Sequence, residues 1–316
     1  MLRANHAVRL GLRAASRNPE LAFGRALLDQ LGNLLAFLPL LLAGALLFGG
    51  GPSLLAALAA VRALQWPTLG ALVAAAAIAF AAGMFFWAGA LPLLAADAEM
   101  DRRAPSGNFP LLASRGFART LVAGLVGYAL AIGFTFACAA ALIAGMPAAF
   151  AHPSPALLAG AALISTLAIA GNVVFDLLGR LLLVRAAAFG EGTTAAFGKA
   201  ASLLGARLGA CIVVSIAFLV LELIAASVAG MLSSVITTTA LFDLDTEVLS
   251  LAPRIAVALA AAVVFAWLEV GRMGALCALA MDAEGLLGVP PAPEPAPLIA
   301  ELVIEALPAD EGQVPL

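Results

Sequence analysis

The sequence predicts an all-α, polytopic helical membrane protein, and three observations support this prediction. Of the 316 residues, 64% are hydrophobic and only 11% are charged, whereas soluble domains have about 25% charged residues. The apolar residues gather into six runs, each long enough to cross a bilayer, which takes about 20 residues. The basic residues are divided unevenly between the loops that join these runs. We therefore expect one helical domain embedded in a membrane.

The six predicted transmembrane helices are each flanked by charged residues, proline or glycine. They cover residues 31–49, 69–95, 120–145, 156–178, 208–230 and 255–280. The sixth is predicted to begin just after Pro253, because proline is favoured at helix starts. The chain then divides into a basic amphipathic N-terminal segment (1–30), a six-helix transmembrane domain (31–285) and a proline-rich tail (286–316).

The distribution of positive charge predicts the orientation, because loops rich in Lys and Arg remain in the cytoplasm. Of the 16 basic residues, 14 lie before the first predicted span, after the second or fourth, or near the inner end of the sixth. Only Arg62 and Arg254 lie on the other side. This division agrees with an even number of spans, so both termini are predicted to be cytoplasmic, in a multi-pass protein of an inner membrane. A cleaved signal peptide in place of the first span would leave five spans and remove the agreement.

Three predicted cytoplasmic approaches to the membrane have similar sequences. They read LAFGRALLDQLGNLLAF from residue 21, RGFARTLVAGLVGYALA from residue 115 and AAFGKAASLLGARLGAC from residue 195, and they align Phe23, Phe117 and Phe197, and likewise Arg25, Arg119 and Lys199. An interfacial helix buries an aromatic ring at the acyl boundary while its basic residue reaches anionic headgroups. The pattern predicts an amphipathic helix followed by a two-span hairpin, used three times, with the cytoplasmic leaflet as partner. Chance similarity in Ala-rich and Gly-rich sequence is the alternative.

These AFGRA, GFART and AFGKA stretches, together with the six-span architecture, give the chain a family resemblance. It resembles the six-span bacterial membrane proteins related to the membrane domain of glycerophosphoryl diester phosphodiesterases, over roughly residues 5–285. The sequence contains no catalytic phosphodiesterase domain. The resemblance implies a membrane-organising or accessory role rather than a reaction.

Polar residues inside the predicted spans form a candidate intramembrane site. Its members are Glu222, Asn172, Asp176, Arg180, Glu269 and Arg272. Glu222 lies roughly 21 Å into the fifth span at 1.5 Å per residue, where an ionised carboxylate costs at least about 2.5 kcal/mol. The sequence offers it no obvious deep cation. It is therefore expected to be neutral and hydrogen-bonded, or to face a water-filled cavity as the ion site of a transporter.

The other members lie at helical spacings that predict ion pairs within single helices. Glu269 and Arg272 are three residues apart, and Asp176 and Arg180 are four apart, with Asn172 one turn from Asp176. One interpretation is pairing near helix ends, with the arginines extending toward the headgroups. The other is that Asn172, Asp176 and Glu269 line a polar cytoplasmic vestibule.

Outside the spans, the C-terminal tail contains a second candidate binding segment. The proline-rich spacer VPPAPEPAP is followed by LIAELVIEALPAD, whose apolar residues share one helical face. Such a helix is typical of a segment that docks on a protein partner. The acids Asp243, Asp245 and Glu247 alternate as in a calcium loop, but the segment lacks the glycine and the distal glutamate of an EF-hand, so they are predicted to lie in a solvated loop.

The sequence shows no pattern typical of an enzyme or of a nucleic-acid-binding protein. His6 and His152 are far apart, the three cysteines lie in apolar runs, and no nucleophile is paired with a base. We therefore expect no catalytic activity, metal or cofactor. The leading hypothesis is an organising or accessory inner-membrane protein. The alternative is a transporter or permease that uses an intramembrane carboxylate, which requires a water-accessible cavity reaching Glu222.

Overall fold

The computed structural model describes residues 2–48, 54–100, 106–151, 155–240 and 244–287, and it describes side chains over 2–37, 66–99, 107–144, 159–236 and 252–287. These residues are helical throughout, apart from short connections. The helices are α1 (Ala4–Arg17), α2 (Pro19–Phe48), α3 (Leu54–Met100), α4 (Phe109–Ala151), α5 (Pro155–Ala188), α6 (Thr193–Ala240) and α7 (Leu244–Ala283). A 3₁₀ turn over Ser106–Asn108 precedes α4.

Five helical segments are long and apolar enough to cross a membrane. They are Trp66–Glu99, Phe109–Ala144, Ala159–Ala188, Thr193–Ile236 and Ala252–Ala283, which overlap predicted spans two to six. Five such segments indicate a multi-pass membrane protein. The first predicted span lies on α2, but residues 38–48 are outside the described side chains and residue 49 is outside the described backbone. The first predicted span, and with it the total of six, therefore stays a prediction, as do the cytoplasmic termini. Most of the C-terminal tail lies outside the described residues.

Two predicted boundaries differ from the structure. The predicted end of the N-terminal segment at residue 30 falls inside α2, which continues through it. Likewise α7 begins at Leu244, so Pro253 lies within the helix and Asp245 and Glu247 belong to its first turns rather than to a loop. Proline removes one helical hydrogen bond, but apolar membrane helices tolerate this loss where neighbouring groups satisfy the freed carbonyl.

Long helices that are consecutive in the chain pack together. The pairs α2–α3, α4–α5 and α6–α7 are in contact, and α3 packs against α4 as extensively as α6 does against α7. In the second pair, Gly127 lies against Gly179 and Thr135 bonds to Asn172. Each of the three similar sequence stretches lies in the first helix of a pair. It is continuous with that helix in α2 and α4, whereas α6 is kinked at Arg207, with φ −133° and ψ 29°. The threefold hairpin repeat and its origin by duplication therefore stay predictions.

Buried side chains are concentrated at one end of the bundle. Leu94 of α3, Leu181 of α5, Phe218 of α6 and Leu276 of α7 are fully buried there. Residues 131–144, 159–173 and 219–236 contain no buried side chain. Extended exposed apolar surface of this kind marks a membrane or protein contact. We refer to these two regions as the packed end and the apolar end.

Helix α1 lies at the packed end, against α7 and α6. Its small residues Ala7, Gly11, Ala14 and Ala15 are buried, while two arginines of the same helix, Arg9 and Arg13, are exposed. The backbone N–H of Leu2 donates to Asp282 Oδ2 over 2.8 Å. Asp282 also pairs with Arg207 at the kink of α6, so one carboxylate ties the start of the chain to α6 and α7.

A second cluster of ion pairs lies at the packed end, around Arg185. Arg185 is 2% exposed and donates to Glu284 Oε1 over 2.5 Å. Its guanidinium also lies 4.7 Å from the centre of the Phe189 ring and 3.6 Å from Glu191 Oε1. The cluster joins the end of α5 to the residue that follows α7.

Glu284 makes this cluster sensitive to acid. The hydrogen bond from Arg185 holds the pKa of Glu284 below its ordinary value of 4.5. A carboxyl group with a lowered folded-state pKa stabilises the protein above its ordinary pKa, and that stabilisation is lost as the pH falls through the folded value. We expect Glu284→Gln to lower the unfolding midpoint at about pH 7, and the difference from wild type to shrink below about pH 4.5. Thermal unfolding in detergent over this range measures both, and a difference that stays constant into acid contradicts the assignment.

Candidate functional site

A charged cavity lies between helices α2, α3, α4, α5 and α7. Its volume is about 210 Å³. The charged residues that line it are Arg25 and Asp29 of α2, Asp176 and Arg180 of α5, and Glu269 of α7. They are distant in sequence, and the packing of α2 and α5 against α7 brings them together.

Glu269 lies between the two arginines and connects them. Arg25 Nε donates to Glu269 Oε2 over 2.9 Å, and Arg180 Nη1 lies 4.0 Å from Glu269 Oε1. Each arginine also has a carboxylate one turn away on its own helix: Arg25 lies 3.1 Å from Asp29 and Arg180 lies 2.8 Å from Asp176. The five groups therefore form one continuous network of ion pairs.

Aromatic rings and glycines shape the walls of the cavity. The guanidinium of Arg25 lies 5.6 Å from the centre of the Trp87 ring, within the range of a cation–π contact. Phe80 and Tyr128 meet edge to face, with ring centres 5.3 Å apart. Helices α4 and α5 approach closely because Gly127 and Gly179 meet: a Cβ on Gly127 would lie 3.0 Å from Cα of Gly179. That approach places the cavity residues of α4 opposite those of α5.

The charges are arranged unequally across the cavity. The side chains of Arg25 and Arg180 are 17% and 21% exposed, whereas those of Asp29 and Asp176 are 42% and 54% exposed. The two guanidinium groups are thus largely buried, and two of the carboxylates are substantially exposed. With three carboxylates and two guanidinium groups, the network is suited to a ligand with a positively charged group.

Three of the predicted intramembrane residues share this cavity, and three do not line it. The predicted pair of Asp176 and Arg180 is present. The predicted pair of Glu269 and Arg272 is wrong, because Glu269 binds Arg25 and Arg272 binds Glu222 of α6. The sequence-based expectation that Glu222 has no cation is corrected in the same way.

Asn172 also differs from the vestibule interpretation. Its Oδ1 accepts a hydrogen bond from Thr135 Oγ1 over 2.8 Å, and its Nδ2 donates to the carbonyl of Ala168. It joins α5 to α4 and is not a cavity residue. Arg25 and Asp29, by contrast, were not predicted as part of an intramembrane site. Their spacing of four residues was the available signal.

The residues of the three similar stretches have different surroundings. Phe23 is 60% exposed and Phe197 is 37% exposed, while Phe117 packs edge to face on Phe85 at 5.9 Å. The basic residues bind groups of the protein: Arg25 binds Glu269, Arg119 donates to the carbonyl of Gly190, and Lys199 pairs with Glu191 over 2.7 Å. Contact of these basic residues with lipid headgroups stays a prediction.

The chemistry of the described site is that of paired charges. Among the residues that the structure describes, no group of three His, Cys, Asp or Glu side chains is arranged to hold a metal ion. Cys138, Cys211 and Cys277 are free thiols.

No protein-family model, curated protein or solved structure matches this chain.

Proposed function

We propose that this chain is a multi-pass membrane protein without catalytic activity that binds a small charged or zwitterionic group in the cavity and moves it across the bilayer, as a permease does. The supporting observation is the network of Arg25, Asp29, Asp176, Arg180 and Glu269 around a cavity of about 210 Å³. Charged residues are costly in membrane helices, and those that line a cavity typically mark a solute or ion path.

The cavity volume distinguishes this proposal from simple structural pairing. A structural network of ion pairs gains from close packing, since water or empty space between the partners weakens their contacts. The cavity, at about 210 Å³, has room for several water molecules, each of which occupies about 30 Å³ in the liquid. The sequence suggested Glu222 as the ion site of a transporter. This proposal does not use Glu222, because Glu222 binds Arg272 outside the cavity.

Accessibility of a cysteine in the cavity tests the proposal. Ala131 of α4 lines the cavity, and we would replace it with cysteine in a variant whose three native cysteines are alanine. A membrane-impermeant thiol reagent is then applied to each side of sealed vesicles in turn. A permease exposes its site to both sides alternately, so we expect Ala131→Cys to be labelled from either side.

Two further variants serve as controls. Ala123→Cys on the same helix replaces a fully buried residue outside the cavity and should resist labelling. Ser114→Cys replaces an exposed residue near the start of α4 and should be labelled only from the side predicted to be cytoplasmic. Labelling of Ala131→Cys from one side only, or from neither, in a protein shown to be folded, contradicts the transport proposal.

The second candidate function is the organising or accessory role implied by the sequence. It is favoured by the exposed Arg3 at the start of α1 and Arg9 within α1, which are suited to the anionic headgroups of a cytoplasmic leaflet. The inner-membrane location, the cytoplasmic termini and a protein partner for the tail belong to this proposal as well. Labelling of Ala131→Cys from one side only would favour the organising or accessory role over transport.

A further inference from the structure

We propose that the cavity binds the headgroup of a zwitterionic phospholipid while one of its acyl chains lies in a groove between α4 and α5. This inference rests on the proposed function and names the class of its substrate: an amphiphile that carries both a phosphate and an amine, as phosphatidylethanolamine does.

The groove is the second cavity on which the inference depends. It has a volume of about 540 Å³ and is lined by apolar residues of α4 and α5, with Cys138 on one side and Leu167 on the other. Phe175 lines both the groove and the charged cavity. The two spaces therefore adjoin at this residue, and the Phe134 and Phe175 rings, with centres 5.0 Å apart, lie at their junction.

Both helices continue the same face from the cavity into the groove. On α4, Tyr128 and Ala131 line the cavity, and Phe134, Cys138 and Ala141 line the groove. These residues recur every three or four positions and so share one side of the helix. A ligand that leaves the cavity along this face meets only apolar side chains.

The direction and length of the groove match one leaflet of a bilayer. Phe175 lies beside the charged residue Asp176, and Ile164 marks the far end of the groove on α5. Eleven residues of helix separate Phe175 and Ile164, which is about 16 Å at 1.5 Å per residue. Half of a hydrocarbon core of about 30 Å is about 15 Å. The groove runs toward the apolar end, so a headgroup in the cavity places its chain where an acyl chain belongs.

The charges of the cavity match a headgroup with both signs. The exposed carboxylates of Asp29 and Asp176 are suited to an ammonium group. The guanidinium groups of Arg25 and Arg180 each carry five N–H donors, and such donors bind phosphate oxygens with charge-assisted hydrogen bonds. A phosphatidylglycerol headgroup offers no amine to the two carboxylates, which disfavours it.

Photolabelling of the full chain in vesicles tests the inference. The probe is a phosphatidylethanolamine with a diazirine on its acyl chain, and mass spectrometry maps the labelled peptides. We expect label on residues 134–141 and 164–175, and competition by unlabelled phosphatidylethanolamine. Unlabelled phosphatidylglycerol should compete about tenfold less well, as the loss of one charge-assisted contact implies. Even labelling of all lipid-facing helices, or equal competition by the two lipids, would overturn the inference.

Two substitutions test whether the label reports binding in the groove or general contact of the helices with lipid. Ala137→Trp fills the groove and should reduce labelling about tenfold, which corresponds to about 1.4 kcal/mol. Ala162→Trp places the same ring at an exposed position of α5 outside the groove and should leave labelling unchanged. Equal effects of the two variants would overturn the inference.

A water-soluble competitor keeps this inference distinct from the proposed function. Phosphoethanolamine has the headgroup but no acyl chain. If it displaces the probe as well as the intact lipid does, the cavity binds a small solute, so the amphiphile inference fails and the transport proposal stands. Failure of the transport proposal is measured separately, by the cysteine labelling of Ala131→Cys.

Discussion

Substitution of Gly11 by alanine is expected to detach α1 from the bundle and to lower the free energy of unfolding by about 1–3 kcal/mol, the usual cost of overpacking. A Cβ at this position would lie 2.2 Å from the carbonyl oxygen of Gly271 and 2.8 Å from Cβ of Ala275. Both atoms belong to the rigid surface of α7, so they move away only if the two helices separate. Separation also breaks the bond from Leu2 to Asp282.

The measurement is thermal unfolding in detergent, combined with limited trypsin digestion at Arg9 and Arg13. Detached α1 should be cleaved faster while the remaining bundle stays intact. Gly133→Ala is the matched control, because a Cβ on Gly133 has no atom within 4 Å. Alanine favours a helix over glycine by up to about 1 kcal/mol, so this control should be neutral or slightly stabilising. If Gly11→Ala unfolds and digests like the control, the close packing of α1 on α7 is contradicted.

The second large effect is expected for Arg272→Gln, which removes the cation that binds Glu222. The side chain of Arg272 is 11% exposed and that of Glu222 is 26% exposed, and both lie in segments apolar enough to span a membrane. Loss of one member of a buried ion pair leaves an uncompensated charge, at a cost of about 3–5 kcal/mol. The variant should therefore fold poorly or unfold at a much lower temperature.

A double-mutant cycle determines whether Glu222 is the cause. The variant Glu222→Gln/Arg272→Gln removes both charges and leaves two amides that are able to hydrogen-bond between the helices. We expect it to recover most of the stability lost in Arg272→Gln, which gives a coupling energy of the kind measured for contacting residues. A double variant as unstable as Arg272→Gln alone would show that Glu222 is not the partner whose charge matters.

The pair of Asp176 and Arg180 provides a comparison for this cycle, because its carboxylate is the exposed member. Asp176 is 54% exposed, and pairs of this kind contribute about 0–1 kcal/mol. Asp176→Asn should therefore change stability little, while a change in transport or lipid labelling would follow from its place in the cavity. We thus expect a structural role for the pair of Glu222 and Arg272, and a binding role for the pair of Asp176 and Arg180.

Composition and local spacing were sufficient for several features of this protein. The membrane class and the positions of five apolar helices follow from hydrophobicity, because a segment's tendency to leave water depends on its own side chains. The Asp176 and Arg180 pair follows from a spacing of four residues, because both belong to one helix. Each of these features involves a single continuous segment.

The contacts between helices were decided only by the tertiary structure. Spacing favoured Glu269 with Arg272, yet the rotation of α7 turns Glu269 toward Arg25 and Arg272 toward Glu222. Such partners depend on how each helix is rotated and shifted against its neighbours.

The close contacts of glycines were likewise decided by the tertiary structure. Gly205 and Gly209 have the spacing typical of a helix-packing motif, but a Cβ on either would meet no atom within 4 Å. Gly11, which has no glycine four residues away, has the closest approach to another helix among these three glycines. The sequence by itself therefore determined which segments enter the membrane, and the tertiary structure decided which side chains meet there, because hydrophobic burial is a property of a segment whereas register and rotation arise from packing between helices.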